Sequence, residues 1–337
     1  MRNVPKILKV MFALFFVLQI IFYNNIYANR VDVTKLDRYL DKLEMNNENI
    51  FSLSVTEKGN PVYLRSIGFM DPSFTNHSNV NTRYRIGELS KSFTSVIVMQ
   101  MVEEKMIQFG TPISRFFPEI PNGKHISIKD LLSHRVNIMN YLPSGKFYTA
   151  IKSDYVFDEL LKEDQSDFQP EFAFSDPNYL VLGLIIEKIS NKTYSEIIME
   201  RIIDKVGLDN TFSISENSTE KNSSNEIIGK WDLNSLSGSG SIVSTPGDLG
   251  KFMNALFYED LINDRSLRTL LSFDEGLNIG LKKLTAGNRQ GFGYSGSMDG
   301  FYSKMTYFPA DSICISFSSK GNNTETLDDL VKIIYGS

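Results

Sequence analysis

The sequence predicts an α+β fold, an antiparallel sheet flanked by helices and interrupted by an inserted helical domain. Three observations carry this. Strand patterns occur in two distant places, over Phe51–Leu64 and again over Ser303–Ser318. The run from Phe93 to Val102 is apolar nearly all round, as in a helix buried on every side. Between Thr111 and about Asn234 the pattern is mostly helical, with polar connections. The expected division is a sheet domain from 29–112 and 235–337, with the insertion at 113–234 and an export signal at 1–28.

The signal comes first. Arg2, Lys6 and Lys9 form a basic start, Val10 to Tyr23 is an apolar run of 14 residues, and Ile26-Tyr27-Ala28 ends in a small residue suited to cleavage. That run is short for a bilayer span. The expectation is an exported, periplasmic or extracellular protein with no integral membrane domain after cleavage; the alternative is an uncleaved anchor. Removing residues 1–28 with their three cations moves the formal charge from −5 to −8. Such acidity argues against nucleic acid or an anionic membrane as partner.

Leu36, Tyr39, Leu40 and Leu43 recur at helical spacing and predict an amphipathic helix over 34–45. Phe51, Leu53 and Val55 alternate, Lys58-Gly59-Asn60 turns, and Val62 and Leu64 resume, a β-hairpin. A turn at Gly87 then enters the buried helix, which places Glu88 and Lys91 on one face at its start. In the insertion, His134 reads as a packed structural residue rather than a catalyst. Tyr179–Ile189 predicts a second buried helix, and residues 194–206 a third. Glu216–Asn225 has no apolar period and predicts an exposed loop. Small residues from Ser237 return the chain to the sheet, and Asp248 opens a helix carrying Leu249, Phe252, Met253 and Leu256. Strands Ser303–Phe308 and Ser312–Ser318 follow, and Leu327, Leu330, Val331 and Ile334 mark a closing helix. Cys314, the single cysteine, falls in a strand and excludes an internal disulfide. His77, His125 and His134 form no metal signature, and nothing calls for a cofactor.

Tyr84-Arg-Ile-Gly-Glu-Leu-Ser-Lys-Ser-Phe-Thr94 resembles the first motif region of serine β-lactamases and penicillin-binding proteins, particularly the class C β-lactamase, DD-peptidase and esterase group. The resemblance runs over about 48–335 and implies the β-lactamase/transpeptidase-like fold. There an S-x-x-K motif sets a nucleophilic Ser one turn from a Lys. Here Glu88 stands at the Ser position and Lys91 at the Lys position. The second motif, normally Tyr-x-Asn, reads Phe174-Ser175-Asp176; Phe174 lacks the hydroxyl, and Asp176 before Pro177 suits a helix N-cap. The third, normally Lys or His, then Thr or Ser, then Gly, reads Tyr294-Ser295-Gly296. By the same resemblance, the backbone N–H groups of Glu88 and Ser297 take the places of the oxyanion donors.

The frame is retained while the nucleophile, the Tyr and the third-motif base are substituted. Glu88, Lys91 and Tyr294 occupy the catalytic positions, and Phe174, Asp176, Ser295, Gly296 and Ser297 the binding positions. Glu88 and Lys91 are expected to pair as ions, since each favours the charged form of the other. Ser90 and Ser92 point off the face that carries 88 and 91 and are not expected to replace the nucleophile. The literal S-x-x-K at Ser218–Lys221 falls in the polar loop and reads as a chance match. The function expected is a non-catalytic binder of a small peptide, a cell-wall-type ligand or a protein partner. The alternative is a hydrolase or transferase acting on an ester or D-amino-acid peptide, with Glu88 as general base.

Overall fold

The computed structural model describes residues 31–45, 50–70, 75–120, 122–136, 176–214, 236–271, 279–320 and 326–335. The amphipathic stretch after the signal forms helix α1, Val33–Met45, which buries Leu36 and Leu40. The hairpin follows as β1, Phe51–Glu57, and β2, Asn60–Ile67, with Lys58 and Gly59 both at positive φ in the turn. A two-residue strand β3, Tyr84–Arg85, leads through a 3-10 turn, Gly87–Leu89, into α2, Ser90–Glu103. Every residue of α2 from Ser90 to Met101 is buried, as its all-round apolar pattern predicts. Glu88 therefore lies in the 3-10 turn just ahead of the α-helix, where an α-helical first turn was expected.

The helical part contributes α3, Ile128–Leu132, closed by a Ser127–Asp130 capping box, and α4, Asp176–Ser190. Next come α5, Tyr194–Ile198, and a π segment, Met199–Ile203, running on to Val206. Gly207, at φ +71, ends this run, a left-handed position that favours glycine. A two-residue strand β4, Phe212–Ser213, pairs with β5, Ile242–Ser244, which also pairs with β3. This small sheet of order β3-β5-β4 was not read from the sequence. Helix α6, Pro246–Phe257, begins two residues before Asp248, because the Thr245 hydroxyl caps it by accepting the Asp248 N–H at 3.2 Å. Helix α7, Asp264–Leu271, precedes the last four strands: β6, Lys282–Ala286; β7, Arg289–Met298; β8, Phe301–Phe308; and β9, Ile313–Lys320. Helix α8, Thr326–Tyr335, closes the described chain.

The main sheet has six strands in the order β2-β1-β9-β8-β7-β6, antiparallel throughout. Its outer face carries Phe51, Leu53, Val55, Ile315 and Phe317, which pack with α1 and α8. Its inner face is buried too, although the alternating residues there are hydroxylic: Ser52, Ser54, Thr56, Ser316 and Ser318 are at most 3% exposed. Most of those hydroxyls are used, while the Ser54 hydroxyl is buried without a hydrogen-bond partner. Ser316 donates to the Pro246 carbonyl at 2.6 Å, and Thr56 accepts from the Asn254 amide at 2.8 Å. Small side chains let α6 lie close, with a Cβ added at Gly250 only 3.1 Å from Thr56. From α6, Phe252 stacks on Phe93 of α2 at 4.0 Å between ring centres. The polar residues of α2 are tied to the surrounding backbone: Thr94 to the Gly238 carbonyl at 2.6 Å, Gln100 to the Leu261 carbonyl at 3.0 Å, and Ser92 to the Gly280 carbonyl.

The expected Glu216–Asn225 loop, the Ser218–Lys221 match and the signal at 1–28 lie outside the described residues. Among the described residues no helix is long and apolar enough to cross a membrane.

Two outcomes follow from the packing. A Cβ added at Gly296 would sit 2.0 Å from the Ile86 carbonyl oxygen and 2.7 and 2.8 Å from the Leu89 and Glu88 nitrogens, all backbone atoms. Gly296→Ala is therefore expected to lower stability by about 3 kcal/mol or more in urea unfolding, and a change within experimental error would contradict this packing. Burial pushes the Cys314 thiol up to about 12. An alkylating reagent at pH 8 should leave Cys314 unmodified in the folded protein and modify it readily in denaturant; rapid labelling of the native chain would contradict its burial.

Candidate ligand-binding cleft

The candidate site is assembled where the 3-10 turn meets the edge of β7. Arg85 of β3 pairs with Val243 of β5, and the Ile86 N–H donates to the Ile242 carbonyl at 3.2 Å. Gly87 then turns at φ +54, where an added Cβ would lie 3.1 Å from the Ser297 nitrogen and 3.2 Å from the Met298 Cβ. The guanidinium of Arg85 lies 3.5 Å from the carboxylate of Asp299, both side chains at most 9% exposed. This ion pair links the segment before Glu88 to the segment after Ser297, so two stretches distant in sequence are held in one register.

That register decides what Glu88 does. Its carboxylate oxygen Oε2 accepts the Ser297 backbone N–H at 2.6 Å, a short charge-assisted bond. The resemblance assigns the Ser297 N–H to one of the two oxyanion-donor positions. The second, the Glu88 N–H, lies on the same turn, pressed against Gly296. Neither neighbouring serine is aimed at the cleft. Ser90 is fully buried and accepts the Ile242 N–H at 3.3 Å, and Ser92 is bound to the Gly280 carbonyl.

Lys91 is fully buried, with its ammonium 5.5 Å from the centre of the Tyr179 ring. Tyr179, on α4, donates its hydroxyl to the Leu132 carbonyl at 3.0 Å and meets the Ser95 hydroxyl at 3.1 Å. Burial pushes its phenol well above the ordinary range, so it stays protonated. Tyr294 points to the inner side of β7 and is 3% exposed, while Ser295 and Ser297 are exposed on the same strand and Gly296 is buried. The ammonium of Lys282, on β6, lies 5.3 Å from the centre of the Tyr294 ring. Burial first, and then the charge of Lys91, lower the pKa of Lys282 from the usual lysine value. Lys282 was missed in the sequence. The only signal that finds it is the β6–β7 register, Lys282 opposite Gly293.

The structure thus brings together Glu88, Lys91, Tyr294, Ser295, Gly296 and Ser297. Phe174 lies outside the described residues. Asp176 is the first residue of α4, with its side chain outside the description. His134 is 1% exposed, at φ +54, with its ring 5.2 Å from that of Tyr179. Among the described residues no group of three or more His, Cys, Asp or Glu could hold a metal ion.

Comparison with known proteins agrees with this architecture. Among curated proteins, the chain is 26% identical over 305 residues to the teichoic acid D-alanine hydrolase of Staphylococcus aureus strain NCTC 8325, covering 86% of this chain and 74% of the relative. Among solved structures, it resembles the D-amino acid amidase from Ochrobactrum anthropi SV3, with a TM-score of 0.75 at 20% identity, over 88% of this chain and 93% of that one. It also resembles FmtA from Staphylococcus aureus, with a TM-score of 0.72 at 22% identity, over 89% and 88% of the two chains. The Beta-lactamase family profile matches residues 49–333, and with its antiparallel sheet and buried central helix the chain belongs to that family.

Proposed function

We propose that this protein is a non-catalytic member of its family, exported from the cytoplasm, which binds a D-alanyl or related cell-wall-type ligand through the cleft. One observation carries the reading: the Glu88 carboxylate rests on the Ser297 N–H at 2.6 Å. In an acyl-transfer enzyme that donor serves the developing oxyanion. Here a negative group from the protein itself sits on it. The carboxylate is comfortable there, since the start of a helix stabilises an anion by about 0.3–1 kcal/mol. Loss of a serine nucleophile costs on the order of 10⁶-fold in kcat in a serine protease, and neither Ser90 nor Ser92 faces the gap. Lys91 serves in this reading as the countercharge of Glu88, Ser295, Gly296 and Ser297 of β7 take the ligand, and Phe174 and Asp176 are assigned to binding by motif position alone. The ligand class is supported by the names of the similar proteins, a teichoic acid D-alanine hydrolase and a D-amino acid amidase.

A second reading draws on the same relatives. Glu88 acts as a general base towards water and the protein is a D-alanyl hydrolase of altered chemistry.

The two separate by experiment. Incubation with a fluorescent penicillin should give no covalent adduct by mass spectrometry. N-acetyl-D-alanyl-D-alanine should raise the melting temperature without being consumed. Glu88→Ser should remain unlabelled, because Phe174 and Tyr294 are unchanged. A stoichiometric adduct on the wild type, or ester or D-peptide turnover that disappears in Glu88→Gln, would overturn the binder in favour of the enzyme.

A further inference from the structure

A cavity of about 520 Å³ opens between the β1–β2 turn at Gly59, the helical run that ends at Val206, and the last turns of α6. None of its lining residues belongs to the cleft. Asn254 of α6 lines it and is 5% exposed. The side-chain nitrogen of Asn254 donates to the Thr56 hydroxyl and to the Gly250 carbonyl, both at 2.8 Å. A carbonyl can only accept, so the nitrogen must face that way. The planar carboxamide then turns its oxygen out of the seam between β1 and α6, and that oxygen has no hydrogen-bond partner among the described residues. Buried acceptors are nearly always paired, so this one calls for a donor from outside the chain. Gly59, at φ +80, lies over the carboxamide. A Cβ added there would sit 3.9 Å from the Asn254 Cβ and 4.0 Å from its Cγ, so the absence of a side chain leaves the approach open.

The charges around the cavity are of both signs. Lys251 is committed to the protein, with its ammonium 2.8 Å from the Gly207 carbonyl and 3.2 Å from the Asp248 carboxylate. Lys205 and Asp260 are exposed and make no ion pair among the described residues. Tyr258, 47% exposed, supplies an aromatic wall. A free cation, a free anion and a buried acceptor converging on one cavity match a ligand that carries both charges. We propose that this cavity binds a small zwitterion, a free amino acid. Its ammonium meets Asp260 and the Asn254 carboxamide, its carboxylate meets Lys205, and its body lies against Tyr258. This site is independent of the reading of the cleft.

The test uses the full chain, ¹⁵N-labelled and titrated with free alanine and free phenylalanine of either hand, then with the N-acetyl and amide derivatives of the tightest binder. The free amino acid should shift the amides of Gly59, Lys205 and Ala255 saturably and leave that of Ser297 in place. Acetylation removes the ammonium and amidation removes the carboxylate. Each should weaken binding about fivefold, the scale of one exposed charge contact. Asp260→Asn should abolish the cost of acetylation alone, and Lys205→Met the cost of amidation alone. Both side chains are exposed, so both variants should fold as the wild type does. The proposal is overturned if none of the four amino acids shifts these amides saturably, if the shifts centre on Ser297 instead, or if both costs survive the two substitutions.

Discussion

The approach of β7 to the turn before α2 is the constraint on which the rest depends. Gly296 lies so near the backbone of Ile86, Glu88 and Leu89 that a methyl group there would overlap main-chain atoms. Gly87 returns the contact from the other side, at φ +54 against Ser297 and Met298. Between these two glycines the Ser297 N–H meets the Glu88 carboxylate, and the Glu88 nitrogen lies close against Gly296. The buried Arg85–Asp299 pair holds the same two segments from outside, and removing one member of a pair this buried typically costs about 3–5 kcal/mol. The helix behind the turn is buried along almost its whole length, which leaves the turn little freedom to adjust.

Within that frame the chemistry follows from which side chain stands on the turn. By the family resemblance a hydroxyl there would be an attacking group. The carboxylate instead reaches across and accepts the Ser297 N–H. The same scaffold thus serves an acceptor as well as it would serve a nucleophile, and the fold itself does not decide between binding and catalysis. Lys91 is fully buried on α2, Lys282 is half-buried on β6, and Tyr294 lies beneath the second of them. Tyr179, held by the Leu132 carbonyl, gives Lys91 an aromatic face.

Much of this was legible in the sequence where a pattern was long enough to repeat. The hairpin, the central helix, α4, the strands β8 and β9 and the closing helix all follow from periodicity. Glu88 at the position of the nucleophile followed from motif alignment. What could not be read were features set by partners far along the chain. Strands of two or three residues, β3, β4 and β5, carry no period. The hydroxyl-rich inner face of the sheet resembles a solvated face until α6 is seen to cover it. Glu88 and its donor Ser297 are 209 residues apart, and no local pattern links them. Lys282 lies in the short strand Lys-Lys-Leu-Thr-Ala, whose place beside Tyr294 exists only through strand pairing.

The central claim is that the Glu88 carboxylate occupies the Ser297 donor, and the amide resonance of Ser297 reports on it directly. In a ¹H–¹⁵N spectrum near neutral pH, a short charge-assisted bond places the Ser297 amide proton downfield and slows its exchange with solvent. Replacing Glu88 by Ala should move that proton upfield and speed its exchange, with the rest of the sheet unperturbed. An unchanged Ser297 amide in the Glu88→Ala protein would show that the carboxylate does not rest there, and the account of a resident anion in the cleft would fall.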